Sequence, residues 1–390
     1  MPTMEELLAE TVAKGASDLH LSAGQPPLLR IHGDLLRTEH PALGPEAVLT
    51  LVHTIMTDGQ RAHFAAEHDV DFACELPGKG RFRVNVFLHS RGPGAVLRTI
   101  PTEIPSLDSL NLPPVLKELC TRERGLVLVT GPTGSGKSTT LAAMVDVINQ
   151  TWDAHILTVE DPIEFVHPPK RCLVNQREVG PHTGSFTNAL RSALREDPDV
   201  ILIGEMRDLE TVSAAIHFAE TGHLVLGTLH ANNANQAVER VMNFFPHEAH
   251  ESLYGQLALN LRGIVSQRLV PRADGKGRVA AIEIMLNTPR IADLVAKGEM
   301  ESLKAAIEQN ALDGSQSFDQ ALYTLYRAGA ISHDEALRQA DSANNLRLKI
   351  RMEDAGAAGV AAAEAQGAAI PGPNAAPPAF TLKKKEDWAA

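Results

Sequence analysis

Apolar and polar residues alternate through much of the first hundred positions of the chain, which is the pattern of a sheet with one buried face. The alternation runs from Val70 to Leu76 and resumes from Phe82 to Leu88, after the turn-forming segment Pro77-Gly-Lys-Gly80. These two runs predict an antiparallel hairpin, and Ala95 to Ile100 predicts a third strand.

Arginines occupy the polar side of this predicted sheet. Because side chains alternate along a strand, Arg81, Arg83 and Asn85 share the face opposite the apolar one, and the third strand carries Arg98. Such a row is often only the solvated side of a sheet. It is also suited to meet an anion bound by a neighbouring domain or subunit, and the hairpin pattern alone does not decide between these interpretations.

Beyond residue 120, short continuous apolar runs replace the alternation. An apolar-periodic stretch from Thr140 to Ile148 predicts a helix after the first run. Continuous runs of this kind are typical of buried parallel strands. The sequence therefore predicts an α/β fold with a parallel-rich central sheet, whose strands are Gly125–Thr130, His155–Val159, Asp199–Ile203 and Leu224–Leu229.

Proline and low-complexity segments suggest the domain organisation. Four prolines interrupt regular structure near residues 101–116, which indicates a linker there. Ala, Gly, Pro and Gln dominate from Ala355 to Ala379, so we expect a disordered tail. The expected division is an N-terminal domain, the linker, a second domain that contains the continuous apolar runs and ends in C-terminal helices, and the tail, at residues 1–100, 101–116, 117–352 and 353–390.

Composition limits the classes of function. The 36 Lys and Arg and 48 Asp and Glu give the 390-residue chain a net charge of −12, which disfavours a nucleic-acid partner. No run approaches the ~18 apolar residues of a membrane-spanning helix, and no secretory signal is evident. Cys74, Cys120 and Cys172 are far apart and form no zinc-binding pair. We expect a cytoplasmic protein without direct membrane insertion.

The strongest chemical signal is the glycine-rich loop Gly131–Thr139, which follows the first apolar run and precedes the predicted helix. Its glycines let the backbone turn tightly, so that N–H groups converge on phosphate oxygens at the positive end of the helix dipole. Lys137 would reach the β- and γ-phosphates of ATP, and the Ser138 hydroxyl would coordinate Mg²⁺. The predicted ATP-binding residues are Gly131, Pro132, Thr133, Gly134, Ser135, Gly136, Lys137, Ser138 and Thr139.

Two acidic segments follow predicted strands of the same sheet. Glu160-Asp-Pro-Ile-Glu164 ends one strand and Gly204-Glu-Met-Arg-Asp208 ends another. The carboxyl ends of parallel strands face the ligand crevice, where a carboxylate can orient or deprotonate the water that attacks the γ-phosphate. Glu164 is the candidate for this role, and Glu205 lies where it would hold the water shell of Mg²⁺. Asp208 is typical of a helix N-cap.

Two histidines bracket the strand Leu224–Leu229. His223 and His230 either cap the strand through backbone hydrogen bonds, or His230 ends a core strand close to the γ-phosphate and senses it. No third ligand of suitable spacing lies nearby, so the spacing argues against a metal site.

A set of motifs runs from about Glu5 to about Arg351. They are Ser17-Asp-Leu-His-Leu-Ser-Ala-Gly24, Arg81-Phe-Arg-Val-Asn85, the phosphate-binding loop, Val159-Glu-Asp-Pro-Ile-Glu-Phe-Val-His167, Ala193-Leu-Arg-Glu-Asp-Pro-Asp199, Gly204-Glu-Met-Arg-Asp208 and the segment from Gly222 to His230. Together they closely resemble the type IV pilus retraction ATPases, PilT and PilU, of the secretion-ATPase superfamily.

The resemblance implies a fold, an assembly and residue roles. The fold would be an N-terminal PAS-like α+β domain followed by a RecA-like P-loop ATPase domain with a helical C-terminal segment. The assembly would be a homo-hexamer, or a mixed ring with a paralogous retraction ATPase, with ATP between domains or subunits. It would work with an inner-membrane pilus platform protein. Glu164 would be the catalytic glutamate and Glu205 the Walker B glutamate, with His223 and His230 as the His-box and Arg81, Arg83 and Arg98 facing the nucleotide.

Departures from the family pattern favour the PilU branch. The PilT branch carries an internal Arg-Asn pair where this chain has Ala292-Asp293, and segments such as Val265-Ser-Gln-Arg-Leu-Val-Pro271 resemble PilU. The alternatives are a pilus-assembly or type II secretion ATPase and a nonenzymatic nucleotide-dependent regulator. Assembly and secretion relatives usually carry a tetracysteine zinc insertion, which this chain lacks, and a binding-only module would not need Glu164.

Overall fold

The computed structural model describes residues 2–31, 33–76, 80–100, 103–310 and 313–353. The predicted turn at Pro77 to Gly80 lies outside these ranges apart from its last residue, and so does the predicted tail from residue 354 onward. Among the described residues, no helix has the length and apolar character needed to cross a membrane.

The N-terminal region forms a six-stranded sheet whose neighbouring strands are all antiparallel. The predicted hairpin and third strand are its last three strands, and the strand order is β3-β2-β1-β6-β5-β4. The strands are β1 (Asp18–Ser22), β2 (Leu28–Ile31), β3 (Asp34–Arg37), β4 (Asp69–Leu76), β5 (Gly80–His89) and β6 (Gly92–Ile100).

Three helices cover the apolar face of this sheet: α1 (Met4–Ala13), α2 (Pro45–His53) and α3 (Asp58–Glu67). Phe82, Val84 and Val86 of β5 are fully buried in this core. The alternation therefore turns Arg81 and Arg83 toward the opposite face, as the sequence predicts. That face lies toward the second sheet, where Arg81 contacts Glu178.

The second sheet has seven strands in the order β13-β12-β7-β11-β10-β8-β9. All neighbours are parallel except the pair β12 and β13. The four predicted apolar runs are its central strands. The strands are β7 (Gly125–Thr130), β8 (His155–Glu160), β9 (Leu173–Glu178), β10 (Val200–Ile203), β11 (Leu224–Leu229), β12 (Leu261–Pro271) and β13 (Arg278–Leu286).

Helices pack on both faces of the central sheet, because alternate residues of its buried strands point to opposite sides. In β7, Leu126 and Leu128 belong to one apolar layer and Val127 and Val129 to the other. One layer holds α4 (Val115–Leu119) and α5 (Lys137–Thr151). The other holds α6 (Phe186–Ala193), α7 (Leu209–Glu220), α8 (Ala234–Met242), α9 (His250–Asn260), α10 (Pro289–Lys297) and α11 (Leu303–Gln309).

Three C-terminal helices form a separate small core against β12 and β13: α12 (Phe318–Arg327), α13 (His333–Gln339) and α14 (343–353). Between β6 and α4, Leu107 and Leu112 of the proline-rich segment pack into the layer that contains α5. The domain limits given above remain a prediction.

A buried charge lies between the central sheet and the C-terminal helices. Glu283 of β13 accepts a hydrogen bond from the Ala234 N–H at the start of α8 (2.7 Å) and is only 3% exposed. Burial raises the pKa of Glu283 to about 7, and Asp341 reinforces the shift while Arg268 and Lys304 oppose it. The carboxylate form is therefore costly in the folded protein.

We predict a pH-dependent stability cost from Glu283. Between its ordinary pKa, near 4.5, and about 7, the folded chain retains a proton that the unfolded chain releases, so stability falls as pH rises through this window. Glu283→Gln keeps an acceptor for Ala234 and removes the charge. Urea unfolding at pH 5 and pH 8 gives the free energy of unfolding of the variant and of wild type. The difference between the two proteins should shift in favour of the variant from pH 5 to pH 8. The exposed Glu118→Gln is the control, and parallel pH profiles for Glu283→Gln and wild type would contradict this prediction.

Candidate active site

The phosphate-binding loop connects β7 to α5 and packs tightly against β12. A Cβ added to Gly131 would lie 2.4 Å from the Gln267 carbonyl oxygen, and one added to Gly136 would lie 2.7 Å from Gln267 Nε2. Both glycines also have positive φ, at 149° and 90°. A side chain at either position would clash and strain the backbone, so glycine is required there.

The beginning of α5 has the features of an anion site. Its N-cap is Gly136, and no side chain caps it, so the first N–H groups of the helix remain available to phosphate oxygens. Lys137 Nζ donates to the carbonyl oxygens of Gly131 (3.0 Å) and Pro132 (3.2 Å). Burial lowers the pKa of Lys137, which Glu205 and Glu164 partly offset. A bound phosphate would replace these weak carbonyl partners with a full negative charge.

A cavity of about 580 Å³ opens over this loop between the two sheets. Its walls come from the phosphate-binding loop, from the carboxyl ends of the central strands, and from the arginine face of the N-terminal sheet. The lining includes Thr133, Gly134, Gly136, Lys137, Ser138, Thr139, Glu160, Glu164, Glu205, His230, Arg83 and Arg98. The phosphate-binding loop, the strand ends and the arginine face of the same chain therefore meet at this cavity.

The other three loop residues are not among those that line the cavity. Gly131 and Ser135 are buried, and the Ser135 hydroxyl has no hydrogen-bond partner, while Pro132 is exposed. The six remaining residues predicted to bind ATP line the cavity itself.

Three glutamates reach the cavity and have different environments. Burial raises the pKa of Glu160 to about 6, although hydrogen bonds from Thr158 (2.6 Å) and Gln176 (3.1 Å) oppose the shift. These partners hold Glu160 in place. Glu164 is exposed in the cavity and is the carboxylate placed to meet water there. Glu205 lies 3.2 Å from His230 Nε2.

The two histidines occupy opposite ends of β11. His230 follows the carboxyl end and lines the cavity. His223 precedes the amino end, where its Nδ1 lies 3.0 Å from the Phe218 carbonyl oxygen and its own carbonyl accepts from the Gly125 N–H. Within one chain, His230 therefore lies at the cavity and His223 lies at the opposite end of the strand, which it caps. The nucleotide-sensing or interfacial role of the two histidines remains a prediction.

The three predicted arginines contact different parts of the structure. Arg83 and Arg98 are paired across β5 and β6 and line the cavity, with Arg98 Nε donating to the buried Asp18 (2.8 Å). Arg81 turns to the Glu178 carboxylate (2.8 Å) instead of the cavity. Arg81 contacts a buried carboxylate from β9 and is not among the residues that line the cavity, so its contact with nucleotide remains a prediction.

The cavity also contains residues that the sequence interpretation missed. Leu269 and Arg278, from β12 and β13, line it opposite the acidic strand ends. Gln267 supports the loop by accepting from Thr140 Oγ1 (2.7 Å) while fully buried. The signal that could have revealed Gln267 is a run of polar residues, Ser266 to Arg268, inside an otherwise apolar strand.

The donor set fits a magnesium ion. Ser138 supplies a hydroxyl oxygen, and Glu164 and Glu205 supply carboxylates, all lining the same cavity. Mg²⁺ prefers oxygen ligands and usually keeps several waters, with phosphates completing its shell. When bound with nucleotide, the ion would neutralise part of the phosphate charge.

The family model described as Type II/IV secretion system protein matches residues 1–299. The chain belongs to this family. It is 50% identical over 348 residues to the type IV pilus ATPase PilU of Pseudomonas aeruginosa, covering 89% of this chain and 91% of that one. It is also 50% identical over 340 residues to the retraction ATPase PilT of the same organism, covering 87% of this chain and 98% of that one.

A solved structure supports the fold. The crystal structure of the pilus retraction motor PilT with bound ADP matches with a TM-score of 0.83 and 45% sequence identity, covering 88% of this chain and 98% of that chain. The expected fold class, an N-terminal β-rich domain before a P-loop ATPase domain with a parallel-rich sheet, is confirmed. The expected resemblance to retraction ATPases is also confirmed, and the slightly longer alignment with PilU supports the PilU-like assignment.

Because Arg83, Arg98 and the phosphate-binding loop of the same chain line one cavity, we predict that arginine and P-loop defects will not complement each other between subunits. Mixing Arg83→Ala protein with Lys137→Ala protein should leave ATP turnover no higher than the summed activities of the two. Every site would still carry one defect. The two variants carry different tags, and size exclusion must show that they form mixed assemblies. A mixture of wild type with Lys137→Ala is the positive control. Restored turnover in mixed assemblies would show that the arginines act on another subunit's nucleotide.

Proposed function

We propose that this protein is an ATP-hydrolysing motor that powers type IV pilus retraction, and hence twitching motility, as the PilU-like member of a retraction pair. The observation that carries the proposal is the single cavity in which a phosphate-binding loop, exposed carboxylates and two arginines meet. Its relatives PilU and PilT are covered over 91% and 98% of their own length, which supports the proposal.

The geometry suggests how hydrolysis proceeds. The loop N–H groups and Lys137 would hold the β- and γ-phosphates, and Ser138 and Glu205 would hold Mg²⁺ and its waters, so that the ion would neutralise part of the phosphate charge. Glu164 accepts a proton from a water whose oxygen attacks the γ-phosphorus, and the bond to the bridging oxygen breaks to release ADP. Arg83 and Arg98 approach from the N-terminal sheet and neutralise charge that accumulates in the transition state.

His230 is suited to report the state of the γ-phosphate. It follows β11 and contacts Glu205, which lies at the end of β10. A phosphate that binds or leaves near Glu205 changes the electrostatic surroundings of this imidazole. Helix α8 begins four residues after His230, so the signal has a short path to the rest of the domain.

The proposal includes an assembly and a location. We propose a homo-hexamer, or a mixed ring with a paralogous retraction ATPase, that engages an inner-membrane pilus platform protein from the cytoplasmic side. The similarity to the solved pilus retraction motor PilT supports this part. The net charge of −12 disfavours a nucleic-acid track for such a motor.

Two substitutions separate binding from catalysis. Lys137→Ala should lose ATP binding and turnover together, because it removes the charge that faces the β- and γ-phosphates. Glu164→Gln should retain binding and lose turnover by roughly 10²-fold or more, because the amide keeps the shape but cannot accept a proton. Binding is measured with a fluorescent ATP analogue and turnover by phosphate release. Normal turnover in Glu164→Gln would remove the assignment of the catalytic base.

Assembly is tested by mass and activity together. We expect wild-type protein with ATP and Mg²⁺ to elute as a ring, and ATPase activity per subunit to rise with protein concentration as rings form. Light scattering after size exclusion gives the mass, alone and with the paralogue present. A monomer with full activity at every concentration would rule out the ring.

A further inference from the structure

The loop that carries Glu164 is held by two side chains of the next strand, β9. Gln176 is the first: its Oε1 accepts from the His167 N–H (2.7 Å), and its Nε2 donates to the Phe165 carbonyl (2.9 Å) and to Glu160 (3.1 Å). The contacts with His167 and Phe165 fix the loop on the C-terminal side of Glu164, and the contact with Glu160 fixes the strand end before it. They all lie within the ATPase-type domain.

Glu178 is the second, and it reaches beyond that domain. Its Oε2 accepts from the Ile163 N–H (3.1 Å), one residue before Glu164. The same oxygen accepts from Arg81 Nη2 (2.8 Å), on the N-terminal sheet. One carboxylate oxygen therefore joins the N-terminal sheet directly to the backbone next to the proposed catalytic base.

Burial makes the Arg81–Glu178 ion pair costly to separate. The Glu178 side chain is 4% exposed and that of Arg81 is 20% exposed. A buried carboxylate without its cation is strongly unfavourable, whereas the matched pair is tolerated. Moving the N-terminal sheet away from the loop would leave Glu178 uncompensated, so the positions of sheet and loop are linked energetically.

The spacing on β5 connects this junction to the nucleotide. Arg81 and Arg83 lie on the same face, two positions apart, which is ~7 Å along a strand. Arg83 lines the nucleotide cavity while Arg81 holds Glu178. A movement that brings Arg83 to a bound phosphate therefore also sets Arg81 against the loop of Glu164.

We propose that Arg81 and Glu178 form a latch that positions Glu164 for catalysis only when the N-terminal sheet has closed over the nucleotide. The proposal rests on the proposed function, in which Glu164 accepts the proton. Glu178 is a positioning residue that acts through the Ile163 amide, and Arg81 acts through Glu178. Neither needs to contact ATP.

The chain offers a matched control for an ion pair of purely structural value. Arg177, the neighbour of Glu178 on β9, pairs with Glu196 at 2.7 Å, and their side chains are 22% and 30% exposed. Arg177 and Arg81 are similarly exposed, but Arg177 contacts neither the Glu164 loop nor the N-terminal sheet through this pair. Arg177→Ala should leave ATP turnover unchanged.

The test compares Arg81→Ala, Glu178→Gln and the double variant, with Arg81→Lys as the conservative change. We expect kcat to fall about tenfold in each single variant, within the range of coupling between contacting residues, with KM for ATP little changed. The kcat of the double variant should be no lower than that of either single variant, because both substitutions break the same Arg81–Glu178 ion pair. Arg81→Lys should recover part of kcat, since it restores a cation. Because Arg81 is partly exposed, we expect Arg81→Ala to fold, and it still tests the latch if Glu178→Gln does not fold.

A second readout follows the loop itself. Hydrogen exchange of the segment that contains Ile163 should accelerate in Arg81→Ala and Glu178→Gln and remain unchanged in Arg177→Ala. If Arg81→Ala changes neither exchange nor kcat while Glu164→Gln abolishes turnover, the latch is refuted and the proposed function stands. If Glu164→Gln turns over normally, the proposed function fails whatever the exchange shows. Equal kcat losses in Arg81→Ala and Arg177→Ala would also refute the latch.

Discussion

The close contact between the phosphate-binding loop and β12 is the constraint on which the active site depends. Gly131 lies against the Gln267 backbone so closely that no side chain fits, and Gly136 has a φ of 90° that side chains rarely adopt, so the loop backbone is fixed where α5 begins. Parallel pairing of β7 with β11 and β12 then brings the carboxyl ends of the central strands to the same edge. Lys137, Glu205 and His230 converge there because the sheet is parallel.

Charge balance explains why the N-terminal sheet covers this edge. Glu160, Glu164 and Glu205 bring carboxylates to the cavity, and a bound triphosphate would add more negative charge. Lys137 is not enough to offset this charge in a partly dry cleft. The arginine face supplies the missing cations: Arg83 and Arg98 toward the cavity and Arg81 toward Glu178. Closing the two sheets thus completes both the electrostatics of the site and the support of its loop.

Much of this could be predicted from the sequence, because it depends on local pattern. Period-two alternation placed the arginines on one face, and apolar runs before glycine-rich and acidic segments located the strand ends. Strand direction also separates His230 from His223, since only a residue after a parallel strand reaches the ligand edge; the sequence interpretation grouped them. The partner of Arg81 could not be predicted, because Glu178 lies 97 positions away and meets it only through the packing of two sheets. The support from Gln267 is hidden for the same reason.

The most direct test of this account is a structure of the assembled protein with Mg²⁺ and a nonhydrolysable ATP analogue. The account predicts that the γ-phosphate lies between Lys137 and Glu164. It also predicts that Arg83 and Arg98 from the same chain approach the phosphates, while Arg81 stays on Glu178. Phosphates contacted by the arginines of a different chain, or a nucleotide bound away from the loop at Gly131–Thr139, would contradict it.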